Sequence, residues 1–265
     1  MAPSCTVILT DLGLPGSLVA VDSWSARQYG HLRDLPSFDM MDPDIEQIAA
    51  LAPDILLVST MTQAGANRDP FKPLSDMGIQ VIYFPTSESL ADIKRDVRRI
   101  ADITGTKDQG EKIVADMEAT IEEIASVAQT IPETDRKTVF FEISAAPFIY
   151  SFGQGVYLNE LLELAGTDNI LKDETGWAAV NAETVFSRDP EVILTNVSYL
   201  LDPIPEIKSR PGWKSLRAVK NNRVYYIDNI KSSQPAPAVI GTLKEIAGAV
   251  YPEYFHFDDN SITIE

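Results

Sequence analysis

Three side chains in this sequence could act as soft metal ligands, as a thiol nucleophile or as an imidazole base: Cys5, His31 and His256. A single cysteine forms neither an internal disulfide nor a thiolate zinc cage, and the two histidines stand far apart in the chain. A metal enzyme built on His and Cys is thereby excluded, and any transition metal handled by the protein must arrive inside a chelate. Carboxylates are plentiful, with 39 Asp and Glu, so a chance calcium cluster stays open. Ser151-Phe-Gly-Gln-Gly155 carries two glycines but lacks the Gly-x-Ser-x-Gly order of a nucleophile elbow, and no histidine lies near it in sequence. There is no Gly-x-x-x-x-Gly-Lys phosphate loop and no Gly-x-Gly-x-x-Gly after a strand. No catalytic residue, resident metal or cofactor is expected.

The chemistry that remains is stacking. Trp24 follows an apolar run ending at Asp22, Phe148 and Tyr150 follow a run ending at Ile143, and Trp177 sits in Glu174-Thr-Gly-Trp-Ala178. All four fall in segments read as loops, and loops at strand ends are where open α/β sheets bind ligands. Large rings beside Gly and Ser suit a bulky, partly apolar ligand. The competing reading is that each ring plugs its own lobe.

The elements that must hold these rings read as two rounds of α/β grammar. Val19–Asp22, Ile55–Ser59 and Val81–Phe84 are short runs rich in β-branched or aromatic residues, as in parallel strands covered on both faces. Asp44–Leu51 and Phe71–Met77 repeat apolar residues at helical spacing between them. From Ser87 the strand signal stops: one helix runs to about Thr104, where Gly105 ends it, and a second runs from about Lys107 to Gln129. The second carries Ile113, Val114, Met117, Thr120, Ile121, Ile124 and Val127 on one stripe. After Pro132 come strands at Thr138–Ile143, Val192–Thr195 and Arg223–Ile227, and helices at Tyr157–Ala165 and about Ala238–Ala249. The predicted organisation is an N-terminal α/β lobe over 1–104, a long connecting helix over 105–131 and a C-terminal α/β lobe over 132–265.

An internal repeat supports two lobes. Glu46 and Glu183 lie 137 residues apart, and so do Pro53 and Pro190, each pair placed on a short helix and then at the start of an apolar strand. Two similar lobes predict a ligand cleft between them. The chain has 265 residues with 45% hydrophobic, enough for real cores. Its 22 Lys and Arg against 39 acids leave a net charge of −17, which repels phosphate backbones and excludes nucleic acid as a partner. No apolar run reaches the roughly 20 residues of a membrane span.

Ala2-Pro-Ser-Cys-Thr-Val-Ile-Leu-Thr-Asp-Leu-Gly-Leu14 followed by Leu18-Val-Ala-Val-Asp-Ser-Trp-Ser25 resembles the opening of the substrate-binding proteins of ABC importers for cobalamin, ferric siderophores and haem. The resemblance continues through Pro53-Asp54, Leu74–Ile79, Tyr157–Gly166 with Asn169-Ile170, Pro190 and Arg223-Val-Tyr225, and covers nearly the whole chain. It implies two α/β lobes joined by one long rigid helix, no enzymatic activity, a metal-chelate ligand, the subunits of an ABC permease as partners, and a monomer. Glu46 and Glu183 match the two glutamates, one per lobe, that dock on permease arginines in this family. Trp24, Phe148 and Trp177 fall where its cobalamin-binding branch, the nearest by local pattern, places cleft aromatics. Two positions depart: Ser59 stands where that branch has an aromatic, and Gln234-Pro-Ala-Pro-Ala238 lacks a common late-loop arginine, which argues against a strongly anionic siderophore. The resemblance sets in at what looks like the end of the family's first strand. It implies an extracytoplasmic protein, in the periplasm or at the cell surface, whose export signal and any lipid anchor belong to a precursor; Cys5 lies inside the family pattern and not at a lipidation site. The expected function is capture of a corrinoid-like chelate and delivery to a permease. The alternatives are a siderophore or haem receptor of the same family and, from another class, a two-lobed cofactor-binding enzyme resembling nitrogenase-like proteins, which would need the Cys or His ligands this chain lacks.

Overall fold

In a computed structural model, which describes residues 1–63 and 69–257, the chain is mixed α/β with mainly parallel sheets. It divides into two compact units. The first comprises Met1–Ser87, Ala91–Ala115 and Gln234–Pro237, and the second Glu88–Leu90, Asp116–Ser233 and Ala238–Glu265.

In the first unit the order is α1 (Pro3–Asp11), β1 (Val21–Asp22), α2 (Ser23–Gln28), β2 (Ser37–Phe38), α3 (Ile45–Ala50), β3 (Ile55–Ser59), α4 (Lys72–Asp76) and β4 (Gln80–Phe84). Then come α5 (Leu90–Thr104) and the 22-residue α6 (Lys107–Ala128), about 33 Å long at 1.5 Å per residue, whose residues to Ala115 belong to the first unit and from Asp116 to the second. Two parallel pairs form here: β1 with β2, and β3 with β4 from Ile55 beside Gln80 to Ser59 beside Phe84. The α6 stripe from Ile113 to Val127 is buried or half-buried throughout, as its spacing predicts. Helix α5 starts at Leu90, later than the sequence suggests, because the Ser87 hydroxyl bonds the buried Asp96 carboxylate at 2.7 Å and opens no helix.

The second unit contains β5 (Thr138–Glu142), β6 (Tyr150–Phe152), α7 (Tyr157–Leu164), β7 (Asp168–Asn169), β8 (Trp177–Ala179), α8 (Ala182–Arg188) and β9 (Val192–Thr195). Helices α9 (Pro203–Ser209) and α10 (Arg217–Lys220), strand β10 (Val224–Tyr226), α11 (Asn229–Ser232) and α12 (Val239–Val250) complete it. Its main sheet is parallel in the order β10-β9-β5-β7, with β5 and β9 buried along nearly their whole length. Val139–Phe141 of β5 and Val192–Leu194 of β9 are buried on successive positions, so these two strands show no alternation between a core side and a solvent side.

The internal repeat is physical as well as sequential. Helices α3 and α8 are each capped by a side chain, Asp44 accepting from Gln47 N–H at 2.9 Å and Asn181 from Thr184 N–H at 2.7 Å. Glu46 and Glu183 are each the second residue after the cap. The residue before each proline, Ala52 and Asp189, is left-handed, with φ of 45° and 36°. Such a conformation is costly for a residue bearing a Cβ, and its recurrence 137 residues on marks the same helix-to-strand turn built twice.

Candidate ligand-binding site

The predicted ring residues are real surface features, but most do not lie in loops. Trp24 is in the first turn of α2, because Asp22 caps that helix by accepting from Ser25 N–H at 2.8 Å; the ring is half-buried and meets Tyr29 edge-on at 6.1 Å. Trp177 and Tyr150 belong to β8 and β6, a two-stranded antiparallel sheet. Only Phe148 lies in a loop as expected, and it is 77% exposed. Trp24 belongs to the first unit and the other three to the second.

The small sheet brings two of the rings together. Tyr150 pairs with Ala179 and Phe152 with Trp177, so all four residues share one face. Phe152 is fully buried and forms an aromatic relay: its ring lies 5.4 Å from Phe141 of the core and 6.0 Å from Trp177, which is 51% exposed. Trp177 is therefore keyed to the core at its edge and open to solvent over much of its area. The core-plug reading does not describe Phe148, Tyr150 or Trp177, each of which is exposed.

One glycine makes this ladder possible. A Cβ on Gly153 would stand 2.2 Å from Glu174 O and 2.8 Å from Leu171 O, both rigid backbone atoms. Gly153 N–H meanwhile donates to Gly176 O at 2.9 Å, holding the segment that carries Trp177. Gly153→Ala is expected to destabilise the protein by about 1 to 3 kcal/mol and to displace β8. Chemical denaturation checks the first effect and Trp177 fluorescence the second.

Two surface residues were missed by the sequence reading. Tyr199 is 66% exposed, yet its hydroxyl accepts the Ala145 N–H at 2.7 Å and lies 3.3 Å from Ser144 Oγ. Ser144 in turn bridges Tyr150, so Tyr199 is tied to the segment that presents Tyr150 and Phe148. Leu201, two residues further on, is fully exposed. The signal was present: Asn196-Val-Ser-Tyr199 follows β9 as Phe148 follows β5, and the same rule about rings beyond strand ends finds both.

The electrostatics beneath this surface are structural. Glu142 at the end of β5 is fully buried and receives both ends of the Arg210 guanidinium, one at 3.0 Å. Burial pushes the Glu142 carboxyl up, and the guanidinium draws it back down. Glu206 holds the other edge of Arg210, whose plane lies 4.5 Å from the Trp213 ring centroid. Elsewhere, burial pushes the Cys5 thiol up to about 12, a protonated and unreactive state at neutral pH. Among the described residues there is no cluster of three or more His, Cys, Asp or Glu placed to hold a metal, and no helix long and apolar enough to cross a membrane.

Glu46 and Glu183 are exposed, and neither makes an ion pair with a described residue. Their neighbours Ile48 and Val185 are buried, which orients each short helix with its glutamate outward.

Residues 1–230 match the periplasmic binding protein family, and the chain belongs to it. The chain is 28% identical over 255 residues to an uncharacterised ABC transporter substrate-binding lipoprotein, YvrC, of Bacillus subtilis, covering 96% of this chain and 80% of that protein. It is 24% identical over 250 residues to the vitamin B12-binding protein of Vibrio parahaemolyticus, covering 93% and 86%. Among solved structures, one from Staphylococcus epidermidis, described as a possible iron-binding periplasmic solute-binding protein, superposes with a TM-score of 0.79 at 26% identity, covering 94% of this chain and 96% of that one. The family resemblance read from the residues is correct, and the chain is a binding protein with no enzymatic role.

Proposed function

We propose that this chain is the extracytoplasmic substrate-binding component of an ABC importer and that its ligand is a metal chelate of corrinoid type. The observation that carries the reading is the exposed aromatic face of the second unit, where Tyr150 and Trp177 share one face of a ladder anchored through Phe152. Exposed aromatic area held rigid gains nothing in the folded protein alone; it gains when an apolar surface covers it at little ordering cost. Phe148 and Tyr199 extend the contact, and Trp24, half-buried in the first unit, is a further candidate ligand ring. The scarcity of His and Cys fits a metal carried inside a chelate, with its coordination sites already filled. Glu46 and Glu183 are the docking carboxylates for the permease, and the protein works as a monomer.

The test is to mix the protein separately with cobalamin, haem and a ferric siderophore, desalt it, and record absorbance and native mass. Retained cobalamin at one per chain is the expected result. Haem or siderophore retained in its place moves the assignment to the alternative ligand, and retention of none overturns a chelate ligand altogether.

Trp177→Ala is expected to weaken binding and leave the fold intact. A ring that loses on the order of 100 Å² of ligand contact gives up about 2.5 kcal/mol before ordering costs, a loss of ten- to a hundredfold in affinity. Titration calorimetry and a melting curve check this together. Unchanged affinity with a lowered melting temperature would mean that Trp177 serves packing alone.

A further inference from the structure

Strands β6 and β8, which carry Tyr150 and Trp177, have three residues each and form a sheet of their own. An antiparallel pair of that size is marginal by itself, so its place depends on what its free edge is tied to. The ladder alternation shows which groups are free. Val180 N–H donates to Ile149 O at 2.9 Å and Gly153 N–H to Gly176 O at 2.9 Å, so Ile149, Ser151 and Gly153 turn their polar groups to the β8 side, and Tyr150 and Phe152 turn theirs away from it. Tyr150 closes on the end of β5, accepting from Ile143 N–H at 2.9 Å and donating to Ser144 O at 3.2 Å. Phe152 is fully buried, and its carbonyl faces no strand of its own sheet on that side. A side chain has to meet it.

Asn169, the second residue of β7 and 4% exposed, supplies that partner. Its Nδ2 donates to Phe152 O at 2.9 Å and to Asn159 Oδ1 at 2.9 Å, and its Oδ1 accepts Leu171 N–H at 2.9 Å. A donor on one side and acceptors on the other leave the amide one orientation. Because Asn169 stands beside Val139 of β5, the bond ties the ring sheet to the main sheet. Phe152 and Trp177 oppose each other as a non-hydrogen-bonded pair, the kind in which side chains lie closest, and their rings meet edge-on at 6.0 Å. A tilt of the Phe152 peptide is therefore passed straight to Trp177. Ser151 Oγ donates to Phe141 O at 2.7 Å, so β6 keeps a second tie to β5 when the first is lost.

We propose that Asn169 is the positioning residue of the ligand face: its amide holds the Phe152 peptide, and through it sets the angle and exposure at which Trp177 meets a ligand. The role in binding rests on the ligand face proposed above, whereas the hold on Trp177 belongs to the protein without ligand. Aspartate at this position isolates the bond that matters. Its carboxylate still accepts Leu171 N–H, and Asn159, whose Nδ2 donates to Glu163 Oε1 at 2.8 Å, can turn its amide to donate to it instead. The Phe152 carbonyl has no such freedom and faces a second acceptor.

The test compares Asn169→Asp and Asn169→Ser with Asn159→Ala in protein labelled with nitrogen-15 at the tryptophan indoles, the Trp177 resonance being identified by its loss in Trp177→Phe. All three variants should lower the urea midpoint, since each removes a buried hydrogen bond. Only the two Asn169 variants should shift or broaden the Trp177 resonance while leaving that of Trp213 in place, and only they should weaken cobalamin binding about tenfold or more. Asn159→Ala should keep cobalamin affinity within about twofold, the normal outcome for a substitution that costs stability without touching the site. If Asn169→Asp does not fold, the uncharged Asn169→Ser carries the comparison. A Trp177 resonance unmoved in the Asn169 variants overturns the proposal, and so does an equal shift in Asn159→Ala, which would be general loosening. Wild-type cobalamin affinity in a variant whose resonance has moved overturns it as well. A wild-type protein that retains no chelate removes the ligand assignment, and the resonance still decides whether Asn169 holds Trp177.

Discussion

Replacing Glu46 and Glu183 together by alanine should abolish uptake of the ligand while its affinity in solution stays unchanged. Each carboxylate stands two residues past a capped helix start, beside a buried Ile48 or Val185 that fixes the helix on its unit. Neither is engaged by a described residue, so neither must give up an internal partner to meet an arginine. Truncating one partner of a desolvated, hydrogen-bonded charge pair costs about 2 to 5 kcal/mol, so losing both contacts is enough to remove a complex of ordinary affinity. The single variants should each retain part of the uptake rate. Wild-type docking should weaken as salt is raised, because exposed charges are screened over about 8 Å at physiological ionic strength. Uptake of labelled ligand into proteoliposomes, with calorimetry on the isolated protein, separates docking from capture. A double variant that supports uptake at the normal rate would sink the assignment.

The second large effect concerns stability. Arg210→Met should destabilise the protein by about 3 to 5 kcal/mol, because it leaves the carboxylate of a fully buried Glu142 without its counter-charge. Replacing Arg210 and Glu142 together by Met and Leu should recover much of that loss, since two charges then leave the interior at once. The pH dependence has a defined sign. Without Arg210, burial and then the nearby Glu206 charge both act to raise the folded pKa of Glu142 above the unfolded value. The native state then holds the proton more tightly, so the deficit of the single variant should grow as pH rises above about 4.5 and shrink on acidification. Urea denaturation at several pH values checks both points, and a deficit that does not change with pH contradicts them.

Strands β3 and β9 are legible in sequence because each is built on a run of three or four apolar residues bounded by turn signals, and they form where those runs lie. The long helix is legible because seven residues hold one stripe over about four turns. Strand β1 forms inside the Val19–Asp22 run read as a strand, whereas β2 and β7 have two residues each, too few to carry any period. Helix α1 is hidden for another reason: Cys5, Thr6, Val7 and Ile8 are all buried, so burial on successive positions erases the helical period, and β-branched residues imitate a strand. Tyr150 and Trp177 read as loop residues because β6 and β8 have three residues each and are separated by 24, a pairing that no local pattern announces, and Trp24 because α2 has only six residues. Glu46 and Glu183 are singled out in the sequence by a repeat with constant spacing together with the family resemblance.

The relay from Phe141 through Phe152 to Trp177 has an optical consequence. The three tryptophans occupy three environments: Trp213 buried beside Arg210, Trp24 half-buried, and Trp177 largely open to water. Their emission should be correspondingly spread, with Trp177 the reddest. A chromophore that absorbs in the near ultraviolet and settles on Trp177 would quench that ring most strongly, because energy transfer falls steeply with distance. Occupancy could thus be followed from the blue shift of the remaining light, with no dye or label attached.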